Sequence, residues 1–307
     1  MARIGLIGGR GHTGREILRL LSRRDDLVLA LASSRELAGQ KVRETAPELA
    51  TELAFAAITP DDLRDARLDA VILALPNGAA APYVAAIDAQ TVIVDLSADY
   101  RFNEDWVYGL PEIHGRDPIR GAKRIANPGC YATCGQLAIA PMRDALNGPA
   151  HVFGVSGYSG AGTTPSRKND LAALADNLMP YALTGHIHER EMARHLGVDV
   201  RFSPHVAAFF SGLSTTVQMD LKSPISAESV RERFAAAYDG EPLVALIADM
   251  PEPAMIAAKP GALVGGWSLS EDGRQLALVS VLDNLQKGAA IQALQNLSLA
   301  LGLPEYV

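Results

Sequence analysis

Cysteine is scarce in this chain. Cys130 and Cys134 are the only two in 307 residues, so no disulfide framework is indicated. Positive charge is also in short supply, with 28 Lys and Arg against 35 Asp and Glu and a net charge of -7. Nucleic acid and acidic membrane surfaces recruit basic patches, so neither is expected as a partner. A small anion can still be held by a local cluster of Arg and backbone N–H groups. No apolar stretch approaches the roughly 18 residues of a membrane span. The run from Met1 to Ile7 turns at once into glycines and lacks the longer apolar region of a signal peptide, which leads us to expect a cytosolic or organellar protein, with cytoplasmic as the preferred reading. Internal repeats and low-complexity tracts are missing too.

What is present is ordinary globular material, 48% hydrophobic and 21% charged. At about 150 residues per domain, the length suggests two domains. Ile4–Ile7, Leu27–Ala32, Asp69–Leu75 and Thr91–Leu96 read as short, continuously apolar strands. Helical spacing over Arg15–Leu21 and a helix-type composition over Ala79–Ala89 lie between them. Buried strands alternating with helices imply a parallel sheet covered on both faces. After about residue 128 the pattern changes. Val152–Tyr158, Ser214–Leu221 and Leu276–Leu282 read as strands between Gly- and Pro-marked loops, which suggests a mixed, more antiparallel α/β domain. The segment Gly288–Leu301 reads as a helix that could return to the first domain. The expected fold class is α/β, an N-terminal Rossmann-type parallel sheet followed by a mixed α/β domain.

Gly8, Gly11 and Gly14 recur at three-residue spacing between a strand and a helix. That context suits a dinucleotide loop, in which glycines let the backbone approach a pyrophosphate and the helix N-terminus offers N–H groups. The spacing departs from the usual G-x-G-x-x-G, and a plain strand–helix turn is the competing reading. Gly8, Gly11, His12, Thr13 and Gly14 are the candidate contacts. An acidic residue ending the second strand would bond a ribose hydroxyl, whereas Arg suits a 2′-phosphate. Here Ser33, Ser34 and Arg35 stand at that point, which favours NADP(H).

Asn127-Pro128-Gly129-Cys130 reads as a turn entering a helix. A thiolate at a helix N-terminus is stabilised by the dipole and the free N–H groups. The same N–H groups, with the Asn127 side chain, could donate to a developing oxyanion. The competing reading makes Cys130 a small buried hydrophobe; Cys134, one turn on, is read that way. His186 and His188 supply acid–base candidates. A metal set from His186, His188, Glu191 and His195 matches no standard helical zinc spacing, and no metal is expected. Arg101 follows a strand end and could clamp a phosphate. Ser159 and Gly160, in a Gly/Ser loop spanning Val155–Gly162, could approach a nicotinamide. Asn284 could bond a carboxamide or merely cap the last helix.

Together these segments resemble one family, the N-acetyl-gamma-glutamyl-phosphate reductases of arginine biosynthesis, related to aspartate-semialdehyde dehydrogenase. The resemblance covers almost the whole chain. It is carried by the glycine loop, Ser33-Ser34-Arg35, Leu96–Phe102, Tyr108-Gly109-Leu110-Pro111-Glu112, Asn127–Tyr131, Val155–Gly162, His186–Glu191 and Asp283–Ala290. It implies a Rossmann domain over residues 1–128 plus 285–307 and a semialdehyde-dehydrogenase-like catalytic and dimerisation domain over 129–284. It implies Cys130 as nucleophile, His186 or His188 as acid–base with a lean to His188, Arg101 at the phosphate, Asn284 at the cofactor, and a homodimer or homotetramer. After Gly162 the chain reads Thr163–Asp170 where many bacterial members carry a basic residue directly. This looks like the shorter, fungal-type branch, and it leaves Arg167 and Lys168 as candidates for the substrate carboxylate. The activity implied is NADPH-dependent reduction of an acyl phosphate to a semialdehyde through a Cys thioester. Aminoadipyl or aspartyl phosphate is the alternative substrate. A non-catalytic NADP-binding regulator and a reductase that transfers hydride without covalent catalysis are the other readings.

Overall fold

The computed structural model describes residues 1–306. The chain divides into two compact units, one made of Met1–Pro128 with Ala289–Tyr306 and the other of Gly129–Gly288.

The first unit holds six strands: β1 (Ala2–Ile7), β2 (Leu27–Ser33), β3 (Ala70–Leu73), β4 (Val92–Asp95), β5 (Val107–Tyr108) and β6 (Arg124–Ala126). They pair in the order β2-β1-β3-β4-β6-β5, every pair parallel. Every residue of β3 and β4 is buried, as the continuous apolar runs require when both faces of a sheet are covered. The helix His12–Leu21 buries Ile17, Leu18, Leu20 and Leu21 along one side. The expected helix over Ala79–Ala89 is shorter, Ala81–Ala86, because Ile87 turns to an extended conformation. The two-residue β5 and three-residue β6 are too brief for periodicity to announce them.

Residues 291–301 form the last helix, Ile291–Leu301, and a π-helical turn, Gln286–Ala290, precedes it. The helix expected from Gly288 therefore begins in a different geometry. Ile291 to Ala300 are buried throughout, including Gln292, Gln295, Asn296 and Ser298. A helix buried on all sides must satisfy such polar groups internally. Gln295 donates to Glu112, and the Arg24 guanidinium reaches the Ser298 hydroxyl at 2.9 Å.

In the second unit β7 (Ala150–Gly157), β8 (Met179–Pro180), β9 (Val200–Ala207), β10 (Leu213–Asp220), β11 (Val244–Ile247), β12 (Ala262–Leu269) and β13 (Gln275–Leu282) form a mixed sheet in the order β11-β12-β13-β10-β7-β9-β8. The β11–β12 and β7–β9 pairs are parallel and the other four antiparallel. Burial alternates along β9 and through most of β10, the mark of a sheet covered on one face. The helix Cys130–Ile139 buries every residue from Tyr131 onward. Cys134 sits in its core, its thiol 3.1 Å from the Ser280 carbonyl, and burial pushes that thiol up to about 11.

A buried carboxyl organises the loop after β4. Asp95 accepts from the Ser97 hydroxyl at 2.6 Å, and the Ser97 oxygen in turn accepts the Asp99 N–H. Asp99 takes the Gly78 and Ala80 N–H groups. Burial raises Asp95 from 3.8 to about 6, with the Ser97 bonds opposing. Its folded value lies above its unfolded one, so the fold favours the protonated form. The cost of ionisation is absent below pH 3.8, grows as pH rises, and is complete above about 6. Asp95→Asn, which keeps the acceptor and removes the charge, is expected to stabilise the protein by about 1 kcal/mol more at pH 8 than at pH 5, read from denaturant midpoints at the two pH values.

Candidate active site

In the first unit the three glycines of the loop have different tasks. Gly8 has φ +98°, and a Cβ on it would lie 2.2 Å from the Ala74 carbonyl oxygen. A Cβ on Gly14 would lie 2.3 Å from the Gly8 carbonyl oxygen. Both are demanded by the protein's own backbone. Gly11 is not, since a Cβ there would meet nothing closer than 3.8 Å. Gly11 is the N-cap of the helix His12–Leu21, and no side chain caps that end. Half-buried His12 and Thr13 open the helix. Burial, then Arg15, lowers the pKa of His12.

Beside the loop, the Ser33 carbonyl accepts the N–H groups of both Gly8 and Gly9. Ser33 and Ser34 are buried, and the Ser34 hydroxyl accepts from Leu37 N–H. Arg35 is exposed. Arg10, inside the glycine loop, pairs with Glu36 at 2.8 Å. Sequence reasoning passed over Arg10, although its place between Gly9 and Gly11 was the available signal. Arg101 is buried. Its Nε donates to the Asn127 carbonyl at 2.9 Å and its Nη2 to the Leu96 carbonyl at 2.8 Å, so the guanidinium is oriented by backbone.

In the second unit Cys130 is the first residue of its helix and is partly exposed. The Gly129 N–H ahead of it donates at 2.9 Å to the carboxylate of Glu191, which is fully buried. Glu191 entered the sequence reading only as a metal candidate. A contact between residues 62 apart leaves no local signal. The Tyr131 ring stands 4.9 Å from that of Phe202, and its hydroxyl donates to the His205 carbonyl at 2.6 Å. Burial raises Tyr181 above its ordinary value; the charge of Cys130 adds to this, and a hydrogen bond with Tyr131 opposes it. Lys168 Nζ lies 4.7 Å from the Tyr181 ring centroid, a cation–π approach. Arg167 is exposed. The fold thus gathers Cys130, Tyr131, Tyr181 and Lys168 in one neighbourhood.

The two histidines belong to the same cluster, their rings 4.8 Å apart. They differ in what the backbone asks of them. His186 is the N-cap of the helix Ile187–Leu196, and its Nδ1 accepts the His188 N–H at 3.1 Å. That nitrogen carries no proton. Burial, then Lys168, lowers His186 to about 4. The His188 ring stands 6.1 Å from that of Tyr131, the residue next to the thiol. Among the described residues, no group of three or more His, Cys, Asp or Glu could hold a metal ion.

Asn284 does not cap the last helix. Its Oδ1 accepts Gly212 N–H at 2.9 Å and its Nδ2 donates to the Ser159 hydroxyl at 2.9 Å. Gly160 lies beside them. Asp283 instead ties down the turn that enters Gln286–Ala290: its Oδ1 takes the N–H groups of Leu285 and Gln286 while Oδ2 takes Ser211 and Ala258.

Comparison with known proteins then gives the family. The model for the semialdehyde dehydrogenase NAD-binding domain matches residues 3–122, and that for the semialdehyde dehydrogenase dimerisation domain matches residues 130–284. The chain belongs to the semialdehyde dehydrogenase family. It is 53% identical, over 98% of its length and 96% of theirs, to an N-acetyl-gamma-glutamyl-phosphate reductase of Stenotrophomonas maltophilia (strain R551-3). It is 50% identical to one of Xylella fastidiosa (strain M23), over 98% of this chain and 93% of that protein. Among solved structures, the fold matches aspartate semialdehyde dehydrogenase II of Vibrio cholerae with a TM-score of 0.79 at 20% identity, over 98% of each chain. It matches the Candida albicans aspartate semialdehyde dehydrogenase with a TM-score of 0.74 at 15% identity, over 98% of this chain and 99% of that one. An NAD-binding domain fits a loop whose Gly11 has no structural need to be glycine.

That difference separates binding from folding. Gly11→Ala is expected to leave the melting temperature within a few degrees and to weaken dinucleotide binding at least tenfold. Gly14→Ala, whose Cβ would strike a carbonyl oxygen, is expected to lower the melting temperature by well over the roughly 3 °C that about 1 kcal/mol costs at this size. Thermal scans and NADPH fluorescence titration check both.

Proposed function

We propose that this protein reduces N-acetyl-gamma-glutamyl phosphate to N-acetylglutamate 5-semialdehyde in arginine biosynthesis, using NADPH and a thioester on Cys130. The observation that carries the reading is a partly exposed cysteine as first residue of a buried helix, clustered with two histidines and a lysine, in a chain about half identical to N-acetyl-gamma-glutamyl-phosphate reductases over nearly its full length.

The Cys130 thiolate attacks the carbonyl carbon of the acyl phosphate. The C–O bond to phosphate breaks, inorganic phosphate leaves, and a thioester remains. A thioester is a far better hydride acceptor than a carboxylate. NADPH, when bound, supplies that hydride. The tetrahedral thiohemiacetal then expels the Cys130 thiolate and releases the aldehyde. Asn127, three residues before Cys130, donates to the oxyanion from its side-chain amide, together with N–H groups at the helix start. His188 moves the proton between the thiol and the carbonyl oxygen. His186 is unsuited to that part because its Nδ1 is committed to the helix cap and its pKa near 4 keeps it neutral. It orients His188.

Arg101, already oriented by two carbonyls, meets the substrate phosphate. Lys168 rather than Arg167 meets the substrate carboxylate, since it is Lys168 that stands over Tyr181 beside the thiol. On the cofactor side, the loop residues Gly8 to Gly14 take the pyrophosphate. Arg35 and Arg10, with Ser33 and Ser34, take the 2′-phosphate that distinguishes NADP from NAD. Ser159, Gly160 and Asn284 face the nicotinamide end. The protein works as a homodimer or homotetramer in the cytoplasm, the domain over residues 130–284 making the contact between copies.

The test runs the reaction backwards, following phosphate-dependent reduction of NADP with N-acetylglutamate semialdehyde and, in parallel, aspartate semialdehyde. Activity is expected with the first aldehyde only and is expected to disappear on treatment with iodoacetamide. Cys130→Ser is expected to lose at least a thousandfold in kcat. His188→Asn is expected to lose about a hundredfold, within the ordinary range for acid–base groups, and His186→Asn, which keeps a capping side chain, about tenfold or less. Full activity in Cys130→Ser would remove the covalent mechanism. Activity with aspartate semialdehyde would keep the mechanism and change the substrate.

A further inference from the structure

Tyr108–Glu112 is a segment that the chemistry above does not use, and the buried polar face of the last helix explains it. Gly109 contributes a carbonyl oxygen, which can only accept. The Asn296 side chain approaches it at 2.9 Å, so the atom facing it must be the amide nitrogen Nδ2. The same nitrogen donates at 2.9 Å to the side chain of Asn127, so the atom facing it there must be the oxygen Oδ1. The orientation of the Asn127 amide is thereby settled by chemistry at the far end of a chain of bonds. Its nitrogen turns the other way, held only by contacts of 3.4 Å to the Pro128 and Ala289 carbonyls, long for N–H···O bonds.

The chain continues behind Asn296. Gln292 Nε2 lies 2.9 Å from Gln295 Oε1 and 3.4 Å from Asn296 Oδ1, donating to both. Gln295 Nε2 donates to the carboxylates of Glu112 and Glu305 at 2.9 and 2.7 Å. A carboxylate accepts only, so this end of the network has one direction too, and Arg116 pairs with Glu305. Gln292, Gln295 and Asn296 are fully buried, where one reversed amide would set acceptor against acceptor. Gly109 must be glycine for this arrangement, because a Cβ there would lie 2.2 Å from Asn296 Nδ2.

We propose that Asn296 is a positioning residue for the reduction: with the Gly109 carbonyl it fixes the Asn127 amide so that its NH2 group, and not its oxygen, is presented as the oxyanion donor. The proposal rests on the reading of Asn127 given above. Asn296→Asp cannot donate, so Asn127 turns its NH2 toward the new carboxylate and its oxygen toward the developing negative charge.

The test uses the full-length enzyme in the reverse assay with N-acetylglutamate semialdehyde, phosphate and NADP. Asn127→Ala is expected to lose about a hundredfold in kcat, as removal of one oxyanion donor does. Asn296→Asp is expected to lose at least tenfold in kcat with the KM for the aldehyde within twofold. In the Asn127→Ala background the same change is expected to cost less than twofold more, because no amide remains to be turned. Gly109→Ala, which displaces Asn296 without altering the helix, is expected to repeat the pattern and serves where Asn296→Asp does not fold. A folded Asn296→Asp or Gly109→Ala enzyme with kcat within twofold of the parent, or losses that multiply in the double variant, would overturn the proposal alone. Full activity in Asn127→Ala would instead remove the oxyanion reading and this proposal with it.

Discussion

A fully buried carboxylate, Glu191, takes the N–H of Gly129 at 2.9 Å, and the place of the thiol follows from that bond. It holds the residue immediately before the helix Cys130–Ile139 begins. Breaking a buried bond of this kind leaves the Gly129 donor without its partner, which makes it expensive to move. Tyr131, locked by its bond to the His205 carbonyl, then sets the wall beside Cys130, and the helix carrying Glu191 also carries His188. Glu191 and His188 are three residues apart on one helix. The brace ahead of Cys130 and the imidazole proposed to handle its proton therefore sit on one helix.

The first unit answers a different demand. In the proposed function its glycine loop comes close to a charged ligand without filling the space the ligand needs. Gly8 and Gly14 meet the geometric requirement, and Gly11 leaves room. The positive groups nearby, Arg10 and Arg35, are on the surface, where an ion pair such as Arg10–Glu36 contributes little to stability. They can be given to a ligand at small cost to the fold. Arg101 is the opposite case, a buried guanidinium whose direction is already set by the chain.

Much of this was legible from the residues. Parallel strands buried on both faces, such as β3 and β4, announce themselves as unbroken apolar runs, and β1 and β2 were readable from runs of the same kind. The glycine spacing and the Pro-Gly turn before Cys130 are local signals, and each lies where its context requires. Local reading fails where the determinant is distant or brief. Strands β5 and β6 are too short for a period, and β8, β9, β11 and β12 lie among loops whose punctuation hides them. Glu191 acts through a contact with no trace in its neighbours. Asn284 and Asp283 show the limit most sharply. Either side chain could cap a helix, and only the tertiary positions of Gly212 and Ser159 divert Asn284 from that task. Likewise His186 and His188 are equivalent in spacing, and the helix cap is what tells them apart.

The return of the last helix to the first unit has a consequence for how the protein is made. On the ribosome, residues 1–128 emerge before the second unit, yet the segment whose buried helix completes them, Ala289–Tyr306, emerges only after it. The second unit is one uninterrupted stretch, so it can finish folding while the first still waits with an open apolar face. The order of completion is thus the reverse of the order of synthesis, and the interval between them is when a growing chain of this design has most need of a chaperone.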